Sequence, residues 1–165
     1  MSIDAQKLKA MVDAELAEFS DSRVVAHIRS LLVEPTIVMR RWDYGREGEQ
    51  YPCWDTLRHP ISKTGIAYCE YGFGPRNPWG LVDLEGDYTS IGMDCGWFSK
   101  FLQAFFESHA ASDLPIWRVF KETTTGEMHP ISDEGEWDAT WAKVMTLRES
   151  DPAGRYHCWT SLAKA

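Results

Sequence analysis

The sequence predicts an α+β fold: an antiparallel sheet of four to six strands, with an N-terminal helical hairpin, a central aromatic helix and a C-terminal helix packed mainly on one face. Three observations carry that prediction. Residues 40–96 alternate aromatic side chains, glycines and carboxylates between short apolar runs, the texture of an antiparallel meander. Residues 3–32 hold two stretches of apolar residues at helical spacing. Trp97, Phe98, Phe101, Leu102, Phe105 and Phe106 then recur about every four residues. A chain of 165 residues can bury a sizeable core, and no linker, repeat or low-complexity tract interrupts it, so a single domain over 1–165 is expected.

Taken in order, Ser2 is placed to cap a first helix from Ile3 to about Phe19, with Leu8, Met11, Val12, Leu16 and Phe19 on its apolar face. Ser20-Asp21-Ser22 breaks that pattern and caps a second helix, whose face is Val24, Val25, Ile28, Leu31 and Leu32, and Pro35 ends it. Strands are expected over 36–44, 51–57, 66–71 and 79–84, with a fifth, shorter one over 88–93. Asp94 is expected to cap the aromatic helix. A further strand is expected over 114–122, followed by a turn at Thr123-Thr124-Thr125-Gly126. Ser132 or Asp133 caps a last helix through Trp137, Trp141, Val144, Met145 and Leu147. The tail Tyr156-His157-Cys158-Trp159 either adds an edge strand or folds back on the core.

The net charge is −8 and the pI about 5.1. A negative field repels nucleic acid and anionic membranes, and it attracts a basic protein. Two stretches concentrate it. Residues 77–99 carry Asp83, Glu85, Asp87 and Asp94, and residues 122–142 carry six carboxylates, in both cases without Lys or Arg. Cys53, Cys69, Cys95 and Cys158 form no CxxC pair and match no zinc-binding spacing. With no signal peptide and no apolar run long enough to cross a bilayer, a cytoplasmic protein with free thiols is expected.

Catalytic signatures are weak. Cys53 lies near His59 in sequence, but a nucleophile needs its base within hydrogen-bond reach, and these two could meet only across a bend. Adjacent His157 and Cys158 point to opposite faces of a strand. Trp54, Asp55, Glu70 and Trp79 are the residue types of sugar hydrolysis, in a chain short for a deep cleft. Five scattered histidines and the alternating Asp83, Glu85 and Asp87 fall short of a metal-ligand set, so neither metal nor cofactor is expected. Gly72-Phe73-Gly74 precedes Pro75, not a helix, and is no phosphate loop.

Trp79-Gly80-Leu81-Val82-Asp83-Leu84, then Ser90-Ile91-Gly92-Met93-Asp94 and the aromatic run 97–106, resembles an element order found in small bacterial toxin-immunity proteins of the Imm and SUKH types. The resemblance covers about residues 36–120. It implies a non-enzymatic acidic module that covers a toxin's basic active site. On this reading Asp83, Glu85 and Asp87 form the binding rim, and Trp79 or Tyr88 the aromatic anchor. The alternative is a small enzyme or ligand-binding protein with a pocket lined by Trp42, Trp54, Tyr68, Tyr71 and Trp79, and with Cys53, His59 and Glu70 as its polar groups. A third possibility is a structural subunit or homodimer that pairs through an exposed sheet edge.

Overall fold

The computed structural model describes residues 3–86, 89–92 and 94–164. It is an α+β fold with an antiparallel five-stranded sheet and a separate three-stranded sheet. The chain divides into two compact units, Met1–Ala111 and Ser112–Ala165.

The first unit opens with α1 (Ala5–Glu18) and α2 (Ser22–Leu31). Asp4 caps α1 by accepting from Lys7 N at 2.9 Å, two residues later than a cap at Ser2 would be. Asp21 caps α2 through Arg23 N and Val24 N. The second helix stops at Leu31, not at Pro35, and runs without an intervening residue into β1 (Leu32–Arg40). Pro35 lies inside that strand, where the pairing register shifts between Leu32 and Thr36, as a residue without an N–H requires.

Strands β2 (Tyr51–His59), β3 (Thr64–Tyr68), β4 (Trp79–Asp83) and β5 (Trp97–Phe98) complete the sheet in sequential order. The inner strands are buried at consecutive positions, β3 at Gly65 through Tyr68, because the sheet is covered on both faces. Trp97 and Phe98, expected at the start of a helix capped by Asp94, are strand residues opposite Gly80 and Trp79. Gly80 explains the switch: a Cβ there would fall inside the Trp97 indole, so only glycine lets the ring lie flat on β4. The aromatic helix is therefore only α3 (Phe101–Phe106). Of the expected fifth strand, Tyr88 and Met93 lie outside the described residues, and Ser90 forms an isolated bridge with Arg41.

The sheet has two different coverings. On one face α3 packs Phe101 edge-on to Trp79 at 5.3 Å, and Trp79 meets Tyr68 at 5.0 Å. Phe19 reaches Phe106, and His27 reaches Phe105 and the Ala110 carbonyl, so α1 and α2 share this side. Glu15 of α1 caps α3 by accepting from Phe101 N (3.1 Å) and Leu102 N (2.9 Å). The opposite face carries Cys53, Ala67, Cys69, Val82, Ile91 and Trp97, covered by Trp42 and Phe73 from loops and by Tyr51 at the start of β2. A buried ion pair lies on β1 and β2: Arg40 Nη2 meets Asp55 Oδ1 at 3.1 Å, with the two side chains 1% and 2% exposed. Arg40 Nη1 also donates to the Asp83 carbonyl at 2.8 Å.

A four-residue helix, α4 (His109–Ser112), precedes the second unit. There β6 (Arg118–Glu122) is central between β7 (Met128–Pro130) and β8 (Arg155–Trp159). The C-terminal tail is thus an edge strand. The turn at 123–126 closes a β6–β7 hairpin whose return strand lacked a sequence signal. The last helix, α5 (Trp137–Ser150), starts after Glu136, later than a cap at Ser132 or Asp133 would place it, and the Glu136 side chain makes no capping bond. It packs Val144 and Leu147 against Val119 and Tyr156.

Candidate protein-binding surface

The residues expected to form a binding rim have different fates. Trp79 is 1% exposed and belongs to the core, so it offers no surface to a partner. Asp83 ends β4 with an exposed carboxylate that has no partner among the described residues. It lines an open cleft of about 260 Å³ of mixed character, with Leu81 and Val82 beside Thr64, Ser90, Glu107 and His109. Glu85 is exposed but tied to Lys63 Nζ at 2.7 Å. Asp87 and Tyr88 lie outside the described residues.

The expected catalytic groups do not converge. Cys53 is fully buried near one end of β2 and His59 lies at the other, six residues away, which is about 20 Å in an extended strand. His59 instead pins the β2–β3 turn: Nδ1 lies 2.7 Å from Ser62 Oγ, which in turn lies 2.7 Å from Thr64 Oγ1. Glu70 is exposed on the loop after β3. Asp55 is locked to Arg40 and Arg58, and so is not available for acid–base work. The five aromatics expected around one pocket are divided between the two faces of the sheet. Tyr68 and Trp79 face α3, while Trp42 packs on Tyr51 and Phe73, and Tyr71 on Tyr51. Among the described residues no group of three or more His, Cys, Asp or Glu could hold a metal ion.

Sequence reasoning missed the surface of α5. A helix packed on one sheet needs one buried stripe, and Thr140, Val144 and Leu147 supply it. Trp137, Trp141 and Met145 form a second apolar stripe beside it, with Trp141 37% and Met145 41% exposed. The indoles of Trp137 and Trp141 stack at 5.6 Å and 8°. The guanidinium of Arg148 sits 5.5 Å from the Trp141 ring and is held there by hydrogen bonds to the Tyr156 carbonyl at 2.6 and 3.1 Å. The stack therefore already has one face against a cation. The sequence signal was an apolar arc too wide for a helix with a single packing partner.

Carboxylates gather at the N-terminal end of this helix. Of the six in residues 122–142, Glu122 binds Arg155 (3.1 Å) and His157 (3.0 Å), Glu127 meets His129 at 3.7 Å, and Glu134 meets Arg118 at 3.8 Å. Asp133, Glu136 and Asp138 are exposed and carry no ion pair among the described residues. The hydrogen bonds from His157 and then Arg155 hold the Glu122 carboxyl below its ordinary range. Among the described residues, no helix is long and apolar enough to cross a membrane. Comparison with protein-family models, curated proteins and solved structures returned no match.

Proposed function

We propose that this chain is a non-enzymatic module that binds a basic protein, in the manner of an immunity protein covering a toxin's cationic site. The observation that carries the reading is the Trp137–Trp141 stack on α5, its Trp141 exposed and its Trp137 half-buried, flanked by the uncompensated carboxylates Asp133, Glu136 and Asp138. Tryptophan anchors beside charged groups are where interfaces concentrate binding energy, and Arg or Lys on a partner would find both a ring face and a counter-charge there. This moves the aromatic anchor from the buried Trp79 to α5. Asp83 and Glu85 remain as a second acidic surface in the first unit. The resemblance to toxin-immunity proteins supports the same partner chemistry.

The test is a tagged pull-down from native lysate at low and at high salt, run in parallel with two variants. One is Trp137→Ala/Trp141→Ala, and the other Asp83→Lys/Glu85→Lys. A stoichiometric basic partner, lost at high salt and weakened roughly 30-fold or more by the tryptophan variant, supports the α5 site. Loss only in the Asp83/Glu85 variant moves the site to the first unit. Absence of any partner at either salt overturns the binding-module reading.

A further inference from the structure

Cys53 and Cys69 stand opposite one another across two antiparallel strands. The register pairs Trp54 with Tyr68, and one further step brings Cys53 opposite Cys69. The extended chain continues through that position, because Cys69 N donates to Pro78 O at 2.8 Å, beside the last β3–β4 pair. The two sulfurs lie over consecutive carbonyls of one strand, Cys53 Sγ at 3.7 Å from Tyr51 O and Cys69 Sγ at 3.5 Å from Pro52 O. Directly opposed antiparallel residues hold their Cβ atoms about 4.5–5.5 Å apart, a small adjustment from the roughly 3.5–4.5 Å of a disulfide. Both residues are free cysteines and both are fully buried.

We propose that Cys53 and Cys69 are a reversible oxidation site that closes as a cross-strand disulfide when a hydroperoxide reaches it. The environment distinguishes the two sulfurs. The neighbouring Cys53 thiol and the Tyr71 N–H favour the Cys69 thiolate and hold its thiol below the ordinary range. The same neighbour, and then burial, pushes Cys53 up. Cys69 is therefore the attacking sulfur. Its thiolate attacks one peroxide oxygen, the O–O bond breaks, and the departing oxygen takes a proton, leaving a sulfenic acid on Cys69. The Cys53 sulfur then displaces that oxygen: the S–S bond forms, the S–O bond breaks, and the hydroxide leaves as water with the Cys53 proton. Two thiols are oxidised and one peroxide is reduced to water, or to alcohol and water. Access runs through the covering of Trp42, Tyr51 and Phe73, which is carried mainly on loops and opens more readily than a helix layer.

The experiment treats the intact folded protein with hydrogen peroxide, blocks remaining thiols with iodoacetamide under denaturing conditions, and maps tryptic peptides without reduction. Exposed Cys95 serves as the internal sign that the oxidant has acted. The expected product is peptide 47–58 linked to peptide 64–76, lighter than the two thiol peptides by two hydrogens and separated by dithiothreitol. Cys69→Ser should abolish the link and leave Cys53 as a free thiol. Recovery of Cys53 and Cys69 as alkylated thiols, or as separate sulfinic acids, in a sample whose Cys95 is oxidised would overturn the proposal.

Discussion

Replacing Asp55 by Ala should be among the most damaging single changes in the first unit. Arg40 is 1% exposed, its Nη2 lies 3.1 Å from Asp55 Oδ1, and Nη1 is satisfied by the Asp83 carbonyl. Without Asp55 the guanidinium keeps its charge and loses its counter-ion where water does not reach it. Breaking a buried pair from one side costs about 3–5 kcal/mol. At this chain length that is a fall in Tm on the order of 10 °C. Arg58 also loses a contact at 3.2 Å, but it is nearly half exposed and adds little. Asp55→Asn keeps an acceptor oxygen and removes only the charge, so it should cost less. Arg40→Met/Asp55→Leu removes both charges and should recover most of the loss, because apolar replacement of a buried pair is often neutral or better. Thermal melts give the overall effect. Pulsed alkylation of the buried Cys53 and Cys69 reports opening of this unit alone. The reasoning fails if either single variant costs less than about 1 kcal/mol, or if the double variant costs the sum of the two singles.

Gly80→Ala should destabilise by about 1–3 kcal/mol or more, because the added methyl collides with the Trp97 indole; a melt and the near-UV signal of Trp97 would register it, and an unchanged melt would discount the contact. Glu15→Ala removes the acceptor for Phe101 N and Leu102 N and should cost about 1–2 kcal/mol, measured by denaturant unfolding. Asp151 is held below its ordinary value of 3.8, first by the Tyr156 hydroxyl at 2.7 Å. A depressed carboxyl stabilises the fold above its unfolded pKa, and the gain is lost as pH falls through the folded value. Wild type and Asp151→Asn should therefore differ in Tm above about pH 4 and converge as the pH falls below the depressed folded value. Burial pushes the Cys158 thiol up to about 11, so iodoacetamide at mildly alkaline pH should modify exposed Cys95 well before Cys158 in the folded protein, as timed mass spectrometry would show.

The legible parts of this fold were the local ones. Helices α1 and α2 follow from Leu8, Val12, Leu16, Val24 and Ile28 at helical spacing, and the β2–β3–β4 meander follows from alternation and turn residues. The run from Trp97 to Phe106 misled because its spacing is helical while its structure is decided elsewhere. Trp97 lies against a glycine seventeen positions earlier, and α3 is capped by a glutamate more than eighty residues earlier. Neither contact leaves a trace within the segment. Strands β6 and β8 are short apolar and aromatic runs like those of the meander, so a pattern alone could not assign them to a second sheet. At the candidate surface the difficulty was burial. Trp79 and Trp141 are the same residue type in similar neighbourhoods, and only the finished fold places one in the core and the other outside.

The direct passage from α2 to β1 sets where this chain can be lengthened. Leu31 ends the helix and Leu32 begins the strand, with the Leu32 N–H still bonded to the Ile28 carbonyl. One residue inserted there would turn the helix by roughly 100° relative to the strand or exchange the two sides of β1, sending Arg40 outward and Met39 in. The tip of the 45–49 turn faces no such constraint, since a Cβ added at Gly48 would meet no atom within 4 Å. A fluorophore, epitope or fused peptide belongs at Gly48, and the helix–strand junction is the place where even a single added residue would reach the whole first sheet.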